Sequence, residues 1–106
     1  MPEDGSSMID HLAGTAKGLL AVALGGIEEG AVEAGLPRET AQGFVRQTAL
    51  GTALLLERHQ GSPADLKDQV ASPGGTTIAG LAVLEDRAVR GAFIRAVETA
   101  AKQHSE

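Results

Sequence analysis

The 106-residue chain contains no cysteine, no tryptophan and no tyrosine. Without cysteine it has neither a disulfide nor a thiolate metal site, a usage that suits a cytoplasmic protein. Phe44 and Phe93 are its two aromatic residues, so the core must be built mostly from Ala, Leu and Val, with 14 Gly alongside. Small side chains let helices approach closely, but each removes little area from water. A chain of this length buries roughly two-thirds of its unfolded surface, and with so few large side chains a second copy is expected to complete the core. Basic residues are also scarce, nine Lys and Arg against 14 Asp and Glu, for a net charge of -5. Phosphate binding requires clustered Lys and Arg, so nucleic acid is excluded as a partner. No apolar run reaches the length of a membrane span; the run from Leu19 to Ile27 is bounded by Lys17 and by Glu28-Glu29. No basic stretch precedes an apolar core and a cleavage site, so no secretory signal is expected. Residues 1–8, polar and rich in Gly and Ser, read as a flexible lead, and 9–106 as one domain.

Apolar spacing predicts helices throughout. Leu12, Ala16, Leu19, Leu20, Ala23, Leu24, Ile27 and Ala31 recur at helical intervals and define a first helix over about 9–34. Ala21, Val22 and Gly25 widen its apolar stripe beyond what one face needs. Gly35 suits the left-handed position that closes a helix, and Pro37 can open the next, with Glu39 in its first turn. The second helix is expected over about 38–58, with Ala41, Phe44, Val45, Thr48, Ala49, Thr52, Leu55 and Leu56 inward. Leu50 and Leu54 fall on the opposite side, which predicts burial on two faces. Ser62 is placed to cap a short third helix, with Pro63 first and Asp65 in the opening turn. A fourth helix is expected over about 75–85 and a fifth over about 89–103, with Val89, Phe93, Ile94 and Val97 inward. Asp86-Arg87-Ala88 is a weakly marked break between them. No alternating run makes a convincing strand. The expected fold is all-α, a bundle of about five helices that pairs as an interlocked homodimer.

One stretch carries chemistry: Val70-Ala71-Ser72-Pro73-Gly74-Gly75-Thr76-Thr77-Ile78-Ala79-Gly80-Leu81. Pro73 and Gly74-Gly75 make a tight loop that feeds a helix. A helix start leaves N–H groups without partners and carries the positive end of the dipole. Glycines there let an anion approach the backbone, and the hydroxyls of Ser72, Thr76 and Thr77 add donors. The reading is a small anion pocket with a carboxylate as guest. The same residues also make an ordinary capped connector, and the sequence by itself leaves both readings open.

These twelve residues closely resemble the signature of pyrroline-5-carboxylate reductase. The likeness continues through Ala34-Gly35-Leu36-Pro37-Arg38-Glu39, Gln47 to Leu56, Ser62 to Val70 and Arg90 to Glu98, in that family's order from Leu12 onward. It is a resemblance to the family's C-terminal helical dimerisation domain only. The chain has no G-x-G-x-x-G after a strand and no βαβ pattern, so it holds nothing for a nicotinamide cofactor. The resemblance implies a homodimer, with assembly of dimers into higher oligomers left open, and a loop that binds the carboxylate of a five-membered cyclic imine. In the complete enzyme NADPH or NADH reduces that imine to proline. The implied substrate-binding residues are Ser72, Gly74, Gly75, Thr76, Thr77 and Thr15, and Thr77 aligns with a substrate-contacting threonine. NAD(P)H would require a separate dinucleotide-binding partner.

Two departures bear on that job. Where the family's first long helix begins Gly-Ser-Gly-Pro-Ala-Tyr, this chain has Gly14-Thr15-Ala16-Lys17-Gly18-Leu19, and Asp86-Arg87-Ala88 replaces a Gly-rich turn. Lys17 beside a pocket offers a cation for another anion or for imine chemistry, with Thr77 as the other catalytic candidate; as a solvated lysine it needs no such role. An alternative is therefore a repurposed, cofactor-free protein that binds a small carboxylate or catalyses a cyclisation or isomerisation. His11, His59 and His104 lack metal-ligand spacing, so no metal site is expected. Glu28-Glu29 and Glu57-Arg58 read as solvent-facing charges.

Overall fold

The computed structural model describes residues 5–59, 61–70 and 75–105. They form five helices: α1 (Ser6–Glu33), α2 (Arg38–His59), α3 (Pro63–Val70), α4 (Thr76–Asp86) and α5 (Val89–Ser105). Among the described residues there is no strand. The helices lie where the apolar spacing puts them. The largest shift is at the start of α1, which opens at Ser6 with Ile9 N–H donating to the Gly5 carbonyl at 2.8 Å. The segment read as a lead thus contributes its last residues, Ser6 to Met8, to a helix.

Local chemistry accounts for the helix ends. Gly35 has φ 119°, a conformation in which a side chain is strained. Its N–H donates to Val32 O at 3.0 Å and that of Leu36 to Ala31 O at 3.0 Å, the paired bonds of a Schellman close. Ala41 N–H then donates to Pro37 O at 2.9 Å, so Pro37 is the cap of α2 rather than its first turn. At α3 the expected cap is reciprocal: Asp65 N–H donates to Ser62 Oγ at 3.1 Å and Ser62 N–H to Asp65 Oδ2 at 3.3 Å. This capping box satisfies two donors at once. Ser62→Ala is expected to cost about 1 kcal/mol, measurable as a lower urea midpoint.

The α4–α5 connection is only Arg87-Ala88. Ala88 sits at φ 54°, the one described non-glycine with positive φ. It ends α4 by donating to Glu85 O at 3.1 Å and begins α5 by accepting from Ala92 N–H at 3.0 Å. The left-handed conformation strains an alanine by about 1–2 kcal/mol. Ala88→Gly relieves that strain at some cost in unfolded-chain entropy. It is expected to raise the urea midpoint, by about 0.5–1 kcal/mol of stability.

Glu28 and Glu29 are not simple solvent-facing charges. Arg38 Nη1 meets Glu28 Oε2 at 2.8 Å and Glu29 Oε2 at 2.7 Å, while Nη2 meets Glu29 Oε1 at 3.2 Å. The fork joins the end of α1 to the start of α2. Hydrogen bonding from Arg38, then its charge, holds the Glu29 carboxyl below its ordinary value. A lowered carboxyl contributes stability above its unfolded value near 4.5 and loses it as pH falls through the folded value. Arg38→Gln is therefore expected to lower thermal stability at neutral pH and to flatten its dependence on acid below that point.

The chain divides into two compact units. One unit comprises residues 1–23 and 83–106, the other Leu24–Ala82. In the first, His11 Nε2 lies 2.9 Å from the Ala100 carbonyl, tying α1 to α5, and Arg90 pairs with Glu85 at 2.8 Å. The second contains Ala41 (0% exposed) and Val45 (6%), the two buried hydrophobics among the described residues. Much of the rest of the apolar sequence is uncovered: Val22 is 73% exposed, Leu50 57%, Leu54 52% and Ile94 54%. Phe44, Phe93 and Val97, expected inward, are also exposed. The chain alone presents 8121 Å². A self-sufficient monomer of 10.8 kDa presents about 5,500 Å².

Candidate functional site

The candidate site is the start of α4. Gly75 precedes the helix and is half-buried, while Thr76 and Thr77 form its exposed opening turn. The amides of that turn point along the axis with no intrahelical acceptor, at the positive end of the dipole. No acidic side chain lies in the first turn of α4, whereas α2 has Glu39 there and α3 has Asp65. The acidic residues of α4 are Glu85 and Asp86, at the opposite end. Its N-terminal dipole is therefore not cancelled by the helix's own side chains. Two adjacent hydroxyls beside those amides make a short row of donors suited to a carboxylate.

The other expected site residues stand differently. Ser72 and Gly74 lie outside the described residues. Thr15 is half-buried and Lys17 exposed on α1. Residues two apart on a helix do not share a face, so Thr15 and Lys17 leave α1 on different sides. His11 is engaged with the Ala100 carbonyl, and the side chains of His59 and His104 lie outside the described residues. Among the described residues no cluster of His, Asp and Glu is disposed to hold a metal ion. Two features escaped sequence reasoning: the Arg38 fork and the His11 tie. Each joins residues on different helices, and only the acidic pair ahead of a short turn hinted at the first.

Comparison with known proteins decides the family. Residues 3–106 match the family described as pyrroline-5-carboxylate reductase dimerisation. This chain belongs to the pyrroline-5-carboxylate reductase dimerisation family. Among its relatives, the pyrroline-5-carboxylate reductase of Synechocystis is 42% identical over 106 residues, all of this chain and 40% of that protein. The Thermus thermophilus enzyme is 41% identical over 107 residues, again all of this chain and 40% of its own length. The Arabidopsis thaliana enzyme is 42% identical over 92% of this chain and 36% of its own. The crystal structure of Plasmodium falciparum pyrroline carboxylate reductase with NADP bound superposes with a TM-score of 0.85 at 26% identity, covering 97% of this chain and 39% of that one. The chain thus spans about two-fifths of the relatives it matches.

The usual cradle of a dinucleotide is a glycine-rich turn between a parallel strand and a helix, and the described residues are helical with no strand to carry one. No helix among them is long and apolar enough to cross a membrane.

Proposed function

We propose that this chain is the pairing and substrate-holding domain of a pyrroline-5-carboxylate reductase, and that it does not transfer hydride by itself. The observation that carries the reading is the exposed apolar surface of a chain that belongs to a dimerisation family: α1 and α4 contain no buried residue among those described. A second copy covers that surface. The start of α4 then serves as receptor for the carboxylate of a cyclic imine, with the Thr76 and Thr77 amides and the Thr77 hydroxyl as donors. Gly75 keeps the approach open. The chain's contribution to reaction is to hold the substrate in place, which by itself can lower a barrier substantially. No step of hydride transfer runs through its residues. NAD(P)H is brought by a separate dinucleotide-binding domain or protein.

An amide-resolved NMR titration with proline as carboxylate probe, with reductase assays run in parallel, tests the reading. The Thr76 and Thr77 signals are expected to move and saturate. Reduction of the imine should be absent with the chain alone and appear once a cofactor-binding domain of the family is added. Unmoved Thr76 and Thr77 signals would remove the receptor from the account. Turnover of an imine by the chain alone, without nicotinamide, would favour the cofactor-free alternative and bring Lys17 back as a participant.

A further inference from the structure

We infer that the turn between α4 and α5 is a two-state hinge. In its main state it is bent at Ala88, and in a minor state it straightens, so that α4 runs on into α5 as one helix. The turn lies wholly within the unit of residues 1–23 and 83–106, and the inference is independent of the carboxylate reading. Ala88 holds φ 54°, the one described non-glycine with positive φ. Left-handed backbone weighs about tenfold against an alanine. Nothing in the local sequence demands the bend. Between Gly80 and Gly91 there is no glycine or proline, and Leu84, Glu85, Arg87 and Ala88 are good helix formers.

Straightening exchanges one set of contacts for another. In the bent form Ala88 N–H donates to Glu85 O at 3.1 Å. Val89, Arg90 and Gly91 then open α5, where amides have no intrahelical acceptor. In a joined helix the carbonyls of Leu84, Glu85, Asp86 and Arg87 accept from Ala88, Val89, Arg90 and Gly91 in turn. The Arg90–Glu85 ion pair, at 2.8 Å, belongs to the bend, because residues five apart stand on different sides of a straight helix. Asp86, four residues before Arg90, takes over the guanidinium in the joined form, at the spacing and in the order that helices favour. The apolar register also survives: Ile78, Ala82, Val89, Phe93 and Ala96 fall on one stripe of the joined helix.

The hold of α5 on α1 opposes the exchange. Its long-range polar tie is the His11–Ala100 hydrogen bond at 2.9 Å, and no described residue of α5 is buried. The contributions on each side are small, the condition for a second state populated at about 0.1–10%.

Amide relaxation dispersion on the full chain, with variants at position 88, provides the test. The unaltered chain is expected to show microsecond-to-millisecond exchange from Arg87 to Gly91 and at His11 and Ala100. Ala88→Gly relaxes the bend and weakens the joined helix. It should lower the minor population by about tenfold or more and flatten those profiles. Ala88→Val makes the left-handed form prohibitive and costs a straight helix little. That variant is expected to fold with helical backbone carbon shifts at position 88. Its Val89, Arg90 and Gly91 amides should exchange with solvent about tenfold or more slowly than in the unaltered chain. Flat profiles in the unaltered chain, or profiles that persist in Ala88→Gly, overturn the hinge. An Ala88→Val protein that unfolds, or that keeps left-handed backbone at position 88, overturns it as well.

Discussion

Ala41→Asp is expected to leave no folded protein. Ala41 is 0% exposed and lies one helical turn before Val45, at 6%. These are the described positions where the chain by itself excludes water. A carboxylate at 41 would replace a methyl group in that closed place, with no buried polar side chain among the described residues to meet it. An unpaired buried charge costs about 3–5 kcal/mol. Small native proteins have about 5–15 kcal/mol in all, and a chain with so small a core belongs near the lower end. Gln47→Asp on the same helix, at an exposed polar position, is the control and should change stability by about 0.5 kcal/mol or less. Far-UV circular dichroism of the two variants distinguishes them. A helical, cooperatively unfolding Ala41→Asp protein would show that the α2 core is not where the fold closes.

The second large effect concerns ligand binding. Thr76 is the first residue of α4, a position where proline is well tolerated because its N–H has no intrahelical acceptor. Thr76→Pro therefore removes one donor from the proposed receptor while leaving the helix intact. Thr77→Val removes one hydroxyl at nearly constant shape. A hydrogen bond to a charged group is worth about 1.5–3 kcal/mol, so each variant should weaken carboxylate binding by about tenfold to a hundredfold. Titration calorimetry with proline measures the affinity, and circular dichroism verifies unchanged helicity. Affinity equal to that of the unaltered chain in both variants would place the carboxylate elsewhere.

Local signals made the helices legible. Ser62, Pro63 and Asp65 spell out a capped helix, and the structure closes that box from both sides. Gly35 announces the end of α1 because its φ of 119° is hostile to any residue with a Cβ. Ala88 announces nothing: an alanine carries the positive φ that glycine usually signals, so the α4–α5 turn reads as a weak break. The Arg38 fork is hidden for another reason. Glu28 and Glu29 precede a turn of unstated geometry, and helical spacing alone does not say which side chains meet across it.

The covering of the apolar faces is legible only in part. Periodicity finds the stripe through Phe93 and Val97, yet a stripe facing a partner has the same spacing as one facing the chain's own core. The inward assignment of those residues therefore gives way, in the single chain, to exposure of 37% at each. The site shows the same division. Glycine and hydroxyl chemistry make Gly75, Thr76 and Thr77 the candidates, and the structure adds that the first turn of α4 has no acidic side chain. Lys17 stands out by its place in an unusual stretch, and on α1 it and Thr15, two residues apart, do not share a face.

Sedimentation equilibrium of the purified chain tests the central claim most directly. The account predicts a mass of at least two 10.8 kDa chains at micromolar protein, with native helicity. A folded single chain that keeps Leu50, Leu54 and Ile94 in water would contradict it.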